Sequence, residues 1–253
     1  MGRLPITFLS DYGTGDDFAG VCRAVIAKLA PEVRVIDLSH GIPRHDVRTA
    51  GIVLADALPY APRGVHLAIV DPGVGGERRA IALRTGEGHF FVAPDNGLVM
   101  PATDALGGIS SAVDVSSSKV ALDGPSDTFH GRDIFAPVAA TIAEAGELSD
   151  VGEPVDPDTL ERTPPTEPRI DQHAAVAHAH RIDGFGNVTL DLRFDDLQGH
   201  PLAGAGRISI GSSHKRRTAQ RGRAFDSAPE GAFLFYQDSS GRMAIAINHG
   251  DAA

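Results

Sequence analysis

Short apolar runs and amphipathic segments alternate along the first part of the chain. The apolar runs have strand length and lie at residues 4–10, 33–38, 65–70, 80–85 and 89–94. Segments with helical spacing of apolar positions lie at residues 16–30, 47–58 and 134–145. Alternation of strands with helices is typical of a sheet that contains parallel pairs. The pattern therefore predicts an α/β N-terminal domain with a mostly parallel central sheet.

The pattern changes after residue 152. Residues 153–170 are rich in proline and charge, a composition typical of a linker. Beyond them, short strand-like runs such as GNVTLDL and AFLFYQD are separated by Gly, Asp and Ser. We therefore predict three parts: an α/β domain over 1–152, a Pro-rich linker over 153–170, and a smaller all-β, barrel-like domain over 171–253.

Polar side chains follow the predicted strands of the first domain. Ser10-Asp11, Ser39-His40, Asp71 and Asp95-Asn96 each stand where a strand ends. Ligands of open α/β sheets bind beyond the carboxyl ends of the strands. We therefore expect the site of function at this edge of the sheet.

Three residues in two loops could form a polar catalytic site. Asp71 and Arg78 lie in VDPGVGGER, and His130 lies in TFHGRD directly before a predicted helix. A carboxylate can orient an imidazole, and a guanidinium stabilises a nearby anion. The alternative from the residues alone is an ordinary loop aspartate, a surface arginine and a helix-capping histidine.

The segment SDYGTGDD brings Asp11, Asp16 and Asp17 close together in sequence. It could be a metal site, because hard cations favour carboxylate oxygens. Asp11 could instead bind ribose hydroxyls, and Asp16 or Asp17 could cap the helix that follows. The dinucleotide GxGxxG, P-loop, GxSxG and CxxC patterns are all absent from the sequence.

Composition narrows the class of protein. The formal net charge of -10 argues against nucleic acid or a membrane surface as a partner. No apolar run approaches the length of about 20 residues that spans a bilayer. Cys22 is the single cysteine, so an intrachain disulfide is impossible and a reducing compartment fits. We expect a cytoplasmic protein.

Seven segments in order resemble one enzyme family. They include FLSDYGTGDDFAGVCRAVI, IDLSHGIPRHDVRTAGIVL, AIVDPGVGGERRAIAL, TFHGRDIFAPVAA and IDGFGNV. The chain is similar to the S-adenosylmethionine hydroxide adenosyltransferases, which are relatives of the fluorinase and chlorinase enzymes. The resemblance covers nearly the whole chain and is weakest in the linker and over residues 194–225.

The resemblance implies a reaction, an assembly and a set of site residues. It implies hydrolysis of S-adenosyl-L-methionine to adenosine and L-methionine, without metal or cofactor, in a homotrimer with active sites between subunits. Asp71, Arg78 and His130 correspond to the family's catalytic set. The implied substrate-binding residues are Asp11 for ribose, Asp183 for the methionine amine, Asn187 and Phe225 for adenine, and Ser239 with the neighbouring Ser240 for the methionine carboxylate.

Three alternatives accompany this hypothesis. The halogenase relatives resemble the chain but carry tyrosines at the positions of Asp71 and His130, and a threonine at that of Val74. A carboxylate beside a bare halide would repel it, so the sequence favours hydrolysis over a chlorinase-like reaction. The others are a non-catalytic adenosine or S-adenosylmethionine sensor, and a metal-dependent hydrolase built on Asp11, Asp16 and Asp17.

Overall fold

The protein consists of two compact units. The computed structural model describes residues 3–211 and 215–253. One unit runs to Thr163 and the other begins at Pro164.

The first unit contains a seven-stranded sheet and four α-helices in the part of the chain described here. The strands are β1 (Ile6–Ser10), β2 (Val35–Ser39), β3 (Val65–Ile69), β4 (Ala80–Thr85), β5 (Phe90–Pro94), β6 (Ile109–Asp114) and β7 (Glu153–Val155). The helices are α1 (Phe18–Leu29), α2 (Val47–Ala57), α3 (Met100–Ala105) and α4 (Ala136–Ala145). Sequence periodicity predicts neither the short helix α3 nor the strands β6 and β7.

The strands of the first sheet are ordered β2-β1-β3-β5-β4-β6-β7. Pairs β2-β1, β1-β3 and β3-β5 are parallel. Pairs β5-β4, β4-β6 and β6-β7 are antiparallel. The sheet is therefore mixed, and the prediction of a mostly parallel sheet is wrong for its second half. A short connection of residues 86–89 between β4 and β5 makes a hairpin, whereas a parallel pairing would need a long crossover.

Helices cover both faces of this sheet. Alternate strand residues such as Phe8 and Leu67 pack with α1 and α4 in one core. Their neighbours, such as Leu9 and Ala68, pack with α2 and α3 in a second core. This alternation is the consequence of the two-residue side-chain period of a strand. The first unit is thus a three-layer α/β/α structure.

Two helix starts differ in their capping. Asp46 caps α2, because its side chain accepts a hydrogen bond from the Thr49 backbone N–H at 2.9 Å. Asp17 occupies the corresponding position of α1, but its side chain makes no capping hydrogen bond. The side-chain capping considered for Asp17 is therefore not seen.

The first part of the predicted linker belongs to the first unit. Strand β7 pairs with β6, and Leu160 is buried against the α2–α3 core. The buried Asp95 carboxylate binds Arg79 and accepts a hydrogen bond from the Glu161 backbone N–H at 2.9 Å. These contacts hold residues 153–163 on the sheet, although their composition is that of a linker. Composition does not indicate that a short strand such as β7 pairs with β6, which lies about 40 residues earlier in the sequence.

The second unit contains a six-stranded sheet ordered β10-β11-β15-β14-β13-β12, with a separate hairpin β8-β9. The strands are β8 (Arg169–Ile170), β9 (Ala175–Val176), β10 (Ala179–Ile182), β11 (Val188–Arg193), β12 (Arg207–Gly211), β13 (Arg216–Arg221), β14 (Phe233–Gln237) and β15 (Arg242–Ile247). One short helix, α5 (Pro201–Gly204), accompanies them. Within the described residues no pairing joins β10 to β12, so a second sheet domain is established and closure into a barrel is not.

Candidate active site

The direction in which successive strands are added to the sheet reverses between β1 and β3. The chain leaves β1 through α1 to reach β2 on one side, then returns through α2 to β3 on the other side of β1. Helices α1 and α2 lie on opposite faces, so a crevice forms at the carboxyl ends of these two strands. Asp11 directly follows β1, and Asp71 lies two residues beyond the end of β3. The two predicted site aspartates therefore flank this crevice.

Asp71, Arg78 and His130 form one hydrogen-bonded unit. Nε of Arg78 donates to Oδ1 of Asp71 at 2.9 Å, and the Arg78 terminal nitrogen Nη2 donates to Oδ2. The same Nη2 lies 2.8 Å from Nδ1 of His130, 52 residues further along the chain. Only 12% of the Arg78 side chain and 7% of the Asp71 side chain are exposed, so this ion pair is shielded from water.

The geometry determines where His130 carries its proton. A guanidinium has only donors, so Nδ1 of His130 must accept, and a neutral ring then carries its proton on Nε2. Burial lowers the pKa of His130 from its ordinary value of 6.5, the Arg78 guanidinium lowers it further, and the carboxylates of Asp71, Asp127 and Asp133 oppose the shift. The ring is therefore a neutral hydrogen-bond donor through Nε2 at physiological pH.

The loop after β3 places Arg78 by tight turns. The Val74 N–H bonds to the Asp71 carbonyl oxygen at 3.3 Å, and the Gly76 N–H to the Gly73 carbonyl oxygen at 3.0 Å. These turns fold the seven-residue interval back on itself, so the arginine returns to the aspartate. The Arg78 guanidinium also lies over the Phe135 ring, 5.3 Å from its centroid, which fixes its plane.

A wide helical turn holds His130 in place. Residues Gly131–Phe135 form a π turn that runs into α4, a feature frequent at functional sites. The buried Asp133 pairs with Arg132 and accepts the Ser126 N–H at 2.8 Å. Arg132 in turn lies over the Phe129 ring. The sequence TFHGRD thus supplies both the histidine and the contacts that fix the loop around it.

Asp11 is anchored from the second strand-helix connection. Its Oδ2 accepts a hydrogen bond from the His45 N–H at 2.9 Å. His45 has a φ of 65°, a left-handed conformation that few non-glycine residues adopt. Such strain persists where surrounding contacts fix the backbone, and it is frequent at binding sites.

A polar cavity of about 360 Å³ opens at this edge of the first unit. Asp11, Asp71 and His130 all line it, so the structure brings these predicted residues to one place. The remaining lining residues are Tyr12, Asp16, Phe18, Arg44, His45, Val74, Thr128, Phe129 and Gly131. Sequence reasoning missed Tyr12 and Arg44. Tyr12 had a usable signal, because it directly follows a strand-end aspartate.

The predicted residues of the second unit fall into two groups. Asp183 accepts hydrogen bonds from the Asn187 side chain at 2.8 Å and the Phe185 N–H at 2.9 Å. Burial raises the pKa of Asp183, but these bonds outweigh it and leave the pKa below its ordinary value. Asn187 and Phe225 line an apolar cavity of about 550 Å³ with the exposed Phe185.

Ser239 and Ser240 lie in the turn between β14 and β15. The Ser240 hydroxyl and backbone N–H both bond to Oδ1 of Asp238, at 2.8 and 2.9 Å. The second unit therefore joins Asp183 to Asn187 by a hydrogen bond and places Asn187 and Phe225 around one cavity.

Neither metal-ligand clusters nor membrane-spanning helices occur in the described ranges. Over residues 3–211 and 215–253, no three His, Cys, Asp or Glu side chains are grouped so that they could hold a metal ion. The alternative built on Asp11, Asp16 and Asp17 therefore lacks a ligand set there. No helix in these ranges is long and apolar enough to cross a bilayer.

The fold and site define a two-domain protein with a shielded Asp-Arg-His unit at the topological switch of an α/β domain. Comparison with known families assigns both domains. Residues 6–152 match the S-adenosylmethionine hydroxide adenosyltransferase N-terminal domain, and residues 177–253 match the C-terminal domain of the same family. The chain belongs to the S-adenosylmethionine hydroxide adenosyltransferase family, as the resemblance predicted.

Individual relatives agree with this assignment. An (R)-S-adenosyl-L-methionine hydrolase from Salinispora arenicola is 45% identical over 100% of this chain and 94% of the relative. A second protein of that name, from Thermus thermophilus, is 37% identical over 98% of this chain and 93% of the relative. A fluorinase from Nocardia brasiliensis is more distant, at 28% identity over 98% of this chain and 91% of the relative. The crystal structure of an uncharacterized conserved protein from Thermotoga maritima superposes with a TM-score of 0.88, at 33% identity over 98% and 94% of the two chains.

Proposed function

We propose that this chain hydrolyses S-adenosyl-L-methionine to adenosine and L-methionine. The observation that carries the proposal is the shielded Asp71-Arg78-His130 unit beside a cavity at the β1–β3 crevice. The family and the names of the relatives support the same reaction. Their names specify the (R) epimer at sulfur, and we extend this preference to the chain.

The chemistry needs only a prepared nucleophile. Water attacks ribose C5′ in line with the sulfur, a C5′–O bond forms, and the C5′–S bond breaks with its electron pair going to sulfur. The sulfonium leaves as the neutral thioether of methionine, so no general acid is needed. The water gives up one proton, and positioning of water and C5′ supplies much of the acceleration. No redox change occurs.

Each residue of the unit has a distinct role in this proposal. Asp71 accepts the proton or the hydrogen bond of the attacking water, because it is the carboxylate of the unit. His130 donates from Nε2 to the water oxygen and orients it, rather than acting as the base. Arg78 holds both partners and stabilises negative charge as the water loses its proton.

The rest of the substrate engages residues of both units. We assign the ribose hydroxyls to Asp11, the adenine to Asn187 and Phe225, and the methionine amine to Asp183. Ser239 and Ser240 are proposed for the methionine carboxylate. The homotrimer with sites between subunits and the cytoplasmic location are also part of the proposal, and light scattering tests the assembly.

The deciding experiment incubates the purified chain separately with the (R) and (S) epimers, with a chelator and without halide. We expect adenosine and methionine, formed faster from the (R) epimer. In ¹⁸O-water the label should enter adenosine. Absence of adenosine at high enzyme concentration would refute hydrolysis, and tight binding without turnover would indicate a sensor. Added chloride separates the halogenase reaction, because only that reaction yields 5′-chloro-5′-deoxyadenosine.

A further inference from the structure

Tyr12 stands at the end of β1 with its ring fixed by aromatic neighbours. The ring lies 5.7 Å from the Phe18 ring and 6.0 Å from the Phe129 ring, centroid to centroid. Its backbone N–H bonds to the Ser10 hydroxyl at 3.3 Å, and that hydroxyl pairs with Nδ1 of His40 at 2.8 Å. Both the ring and the backbone of Tyr12 are thus held on the wall of the cavity.

The Tyr12 hydroxyl lies against the backbone of Gly131, the residue after His130. A Cβ atom placed on Gly131 would lie 2.0 Å from the Tyr12 hydroxyl oxygen. Only a glycine therefore leaves room for this hydroxyl, and Gly131 directly follows His130. Both Tyr12 and Gly131 line the 360 Å³ cavity. No residue of 3–211 or 215–253 hydrogen-bonds to this hydroxyl.

The charges around the hydroxyl indicate which part of the site it serves. Burial is the main cause that raises the pKa of Tyr12 well above its ordinary value. The charges of Cys22, Asp71 and Asp11 raise this pKa further, in that order of size, and Arg78 lowers it. The Asp71 carboxylate acts on it more strongly than Asp11, its neighbour in sequence. The phenol therefore stays protonated and can only donate to an anion, and its contact with Gly131 places it next to His130 of the catalytic unit.

We propose that the Tyr12 hydroxyl donates a hydrogen bond to the water that attacks C5′, as a third group beside Asp71 and His130. The inference rests on the proposed hydrolysis and adds a catalytic residue to it. As the water loses its proton, the growing negative charge on its oxygen strengthens the bond from the phenol, so the contact favours the transition state. The phenol keeps its own proton throughout.

The test is Tyr12→Phe, which keeps the ring and removes the hydroxyl. We expect kcat to fall about 10- to 100-fold, with KM and the dissociation constant of adenosine within about twofold of the wild type. Tyr60→Phe is the matched control, because Tyr60 is 84% exposed, and it should leave both constants unchanged. A folded Tyr12→Phe enzyme with wild-type kcat would overturn the proposal. So would a rise in KM at unchanged kcat, which would place the hydroxyl on the ribose instead.

A double-mutant cycle with Gly131→Ala gives an independent readout. The added methyl group displaces the Tyr12 hydroxyl, so we expect Gly131→Ala to reduce kcat strongly in the wild type and much less in the Tyr12→Phe background. Equal losses in both backgrounds would contradict the contact.

Asp71→Ala and His130→Ala, measured in parallel, separate the two proposals. If both lose activity while Tyr12→Phe does not, only the Tyr12 inference fails. If both stay active, the proposed site itself is wrong. Circular dichroism of every variant confirms that each is folded.

Discussion

Nη2 of Arg78 and Nδ1 of His130 lie 2.8 Å apart, and this contact assigns the imidazole proton to Nε2. The same guanidinium binds Asp71 through two nitrogens. Arg78 therefore does more than supply positive charge, because its planar fork sets the spacing between the carboxylate and the imidazole. A cation without that geometry would hold only one partner at a time.

We therefore predict that Arg78→Lys lowers kcat by about 100-fold or more. The ammonium group is a point charge on a flexible stem and does not reproduce the bidentate contact to Asp71 together with the bond to His130. Steady-state kinetics with S-adenosylmethionine measures the change. Arg84→Lys on the exposed side of β4 is the control and should retain wild-type kcat. If kcat of the Arg78→Lys variant stayed close to that of the wild type, charge alone would suffice.

The protonation state of His130 predicts how kcat/KM declines at acid pH. Its pKa is lowered from 6.5 by burial and by Arg78, so the ring is mostly neutral at pH 6.5 and gains its charge mainly below that pH. Protonation would place a hydrogen on Nδ1, against the guanidinium, and break the contact. We expect kcat/KM to be level near neutral pH and to reach half of its plateau value at a pH below 6.5.

The control for this prediction is His130→Gln, whose amide can donate a hydrogen bond but does not titrate. It should retain more activity than His130→Ala, and its profile should lack the His130 component. An acid limb centred above pH 6.5 in the wild type would contradict the assignment, because the pKa would then be raised rather than lowered.

The sequence locates the site better than it describes the sheet. Buried strands read as apolar runs, and the polar residues that end them, such as Asp11 and Asp71, are visible without a structure. Parallel strands then bring these ends to one edge. The pairing of β4 with β5 and β6 is different, because strand order depends on contacts distant in sequence. Apolar periodicity contains no information on which neighbour a strand selects or in which direction.

The contact of Tyr12 with Gly131 shows the same limit inside the site. The two residues are far apart in sequence, and neither a tyrosine nor a glycine indicates chemistry by itself. His130 and Arg78 could be named as candidates, but their contact depends on the loop packing around Gly75 and Asp127. Such loop-to-loop packing is set by tertiary structure and has no periodic signal in the sequence.

Gly75 gives a direct test of that packing. It has a φ of 75°, and a Cβ atom there would lie 2.3 Å from the carbonyl oxygen of Asp127, in the loop that leads to His130. We predict that Gly75→Ala separates the two loops, reduces kcat about 10-fold or more by displacing His130 from Arg78, and lowers the melting temperature.

Gly20→Ala is the matched control, because Gly20 lies on the exposed side of α1 and a Cβ atom there meets nothing within 4 Å. It should leave kcat unchanged. A Gly75→Ala enzyme with normal kcat would mean that the contact with Asp127 does not position His130.

A buried chain of hydrogen bonds joins Thr7 on β1, His66 on β3 and His89 directly before β5, and it predicts how stability depends on pH. Nδ1 of His66 lies 2.7 Å from the Thr7 hydroxyl, and Nε2 of His66 lies 2.8 Å from Nδ1 of His89. Burial, and then His89, lower the pKa of His66 from 6.5 to about 3, so the folded protein keeps this ring neutral. The unfolded chain binds the proton near pH 6.5, so the contribution of His66 is fully present above that pH and is lost as pH falls toward 3.

We therefore predict that the free energy of unfolding, measured in urea by circular dichroism, falls more steeply between pH 6.5 and about 4 in the wild type than in His66→Asn. The variant loses stability at neutral pH, because an asparagine does not span from Thr7 to His89, but its pH dependence is shallower. His173→Asn, at an exposed position, should keep the wild-type slope. Parallel curves for the wild type and His66→Asn would contradict the neutral state of His66, because groups that both proteins share, namely the carboxylates, His89 and His130, would then account for the whole acid dependence.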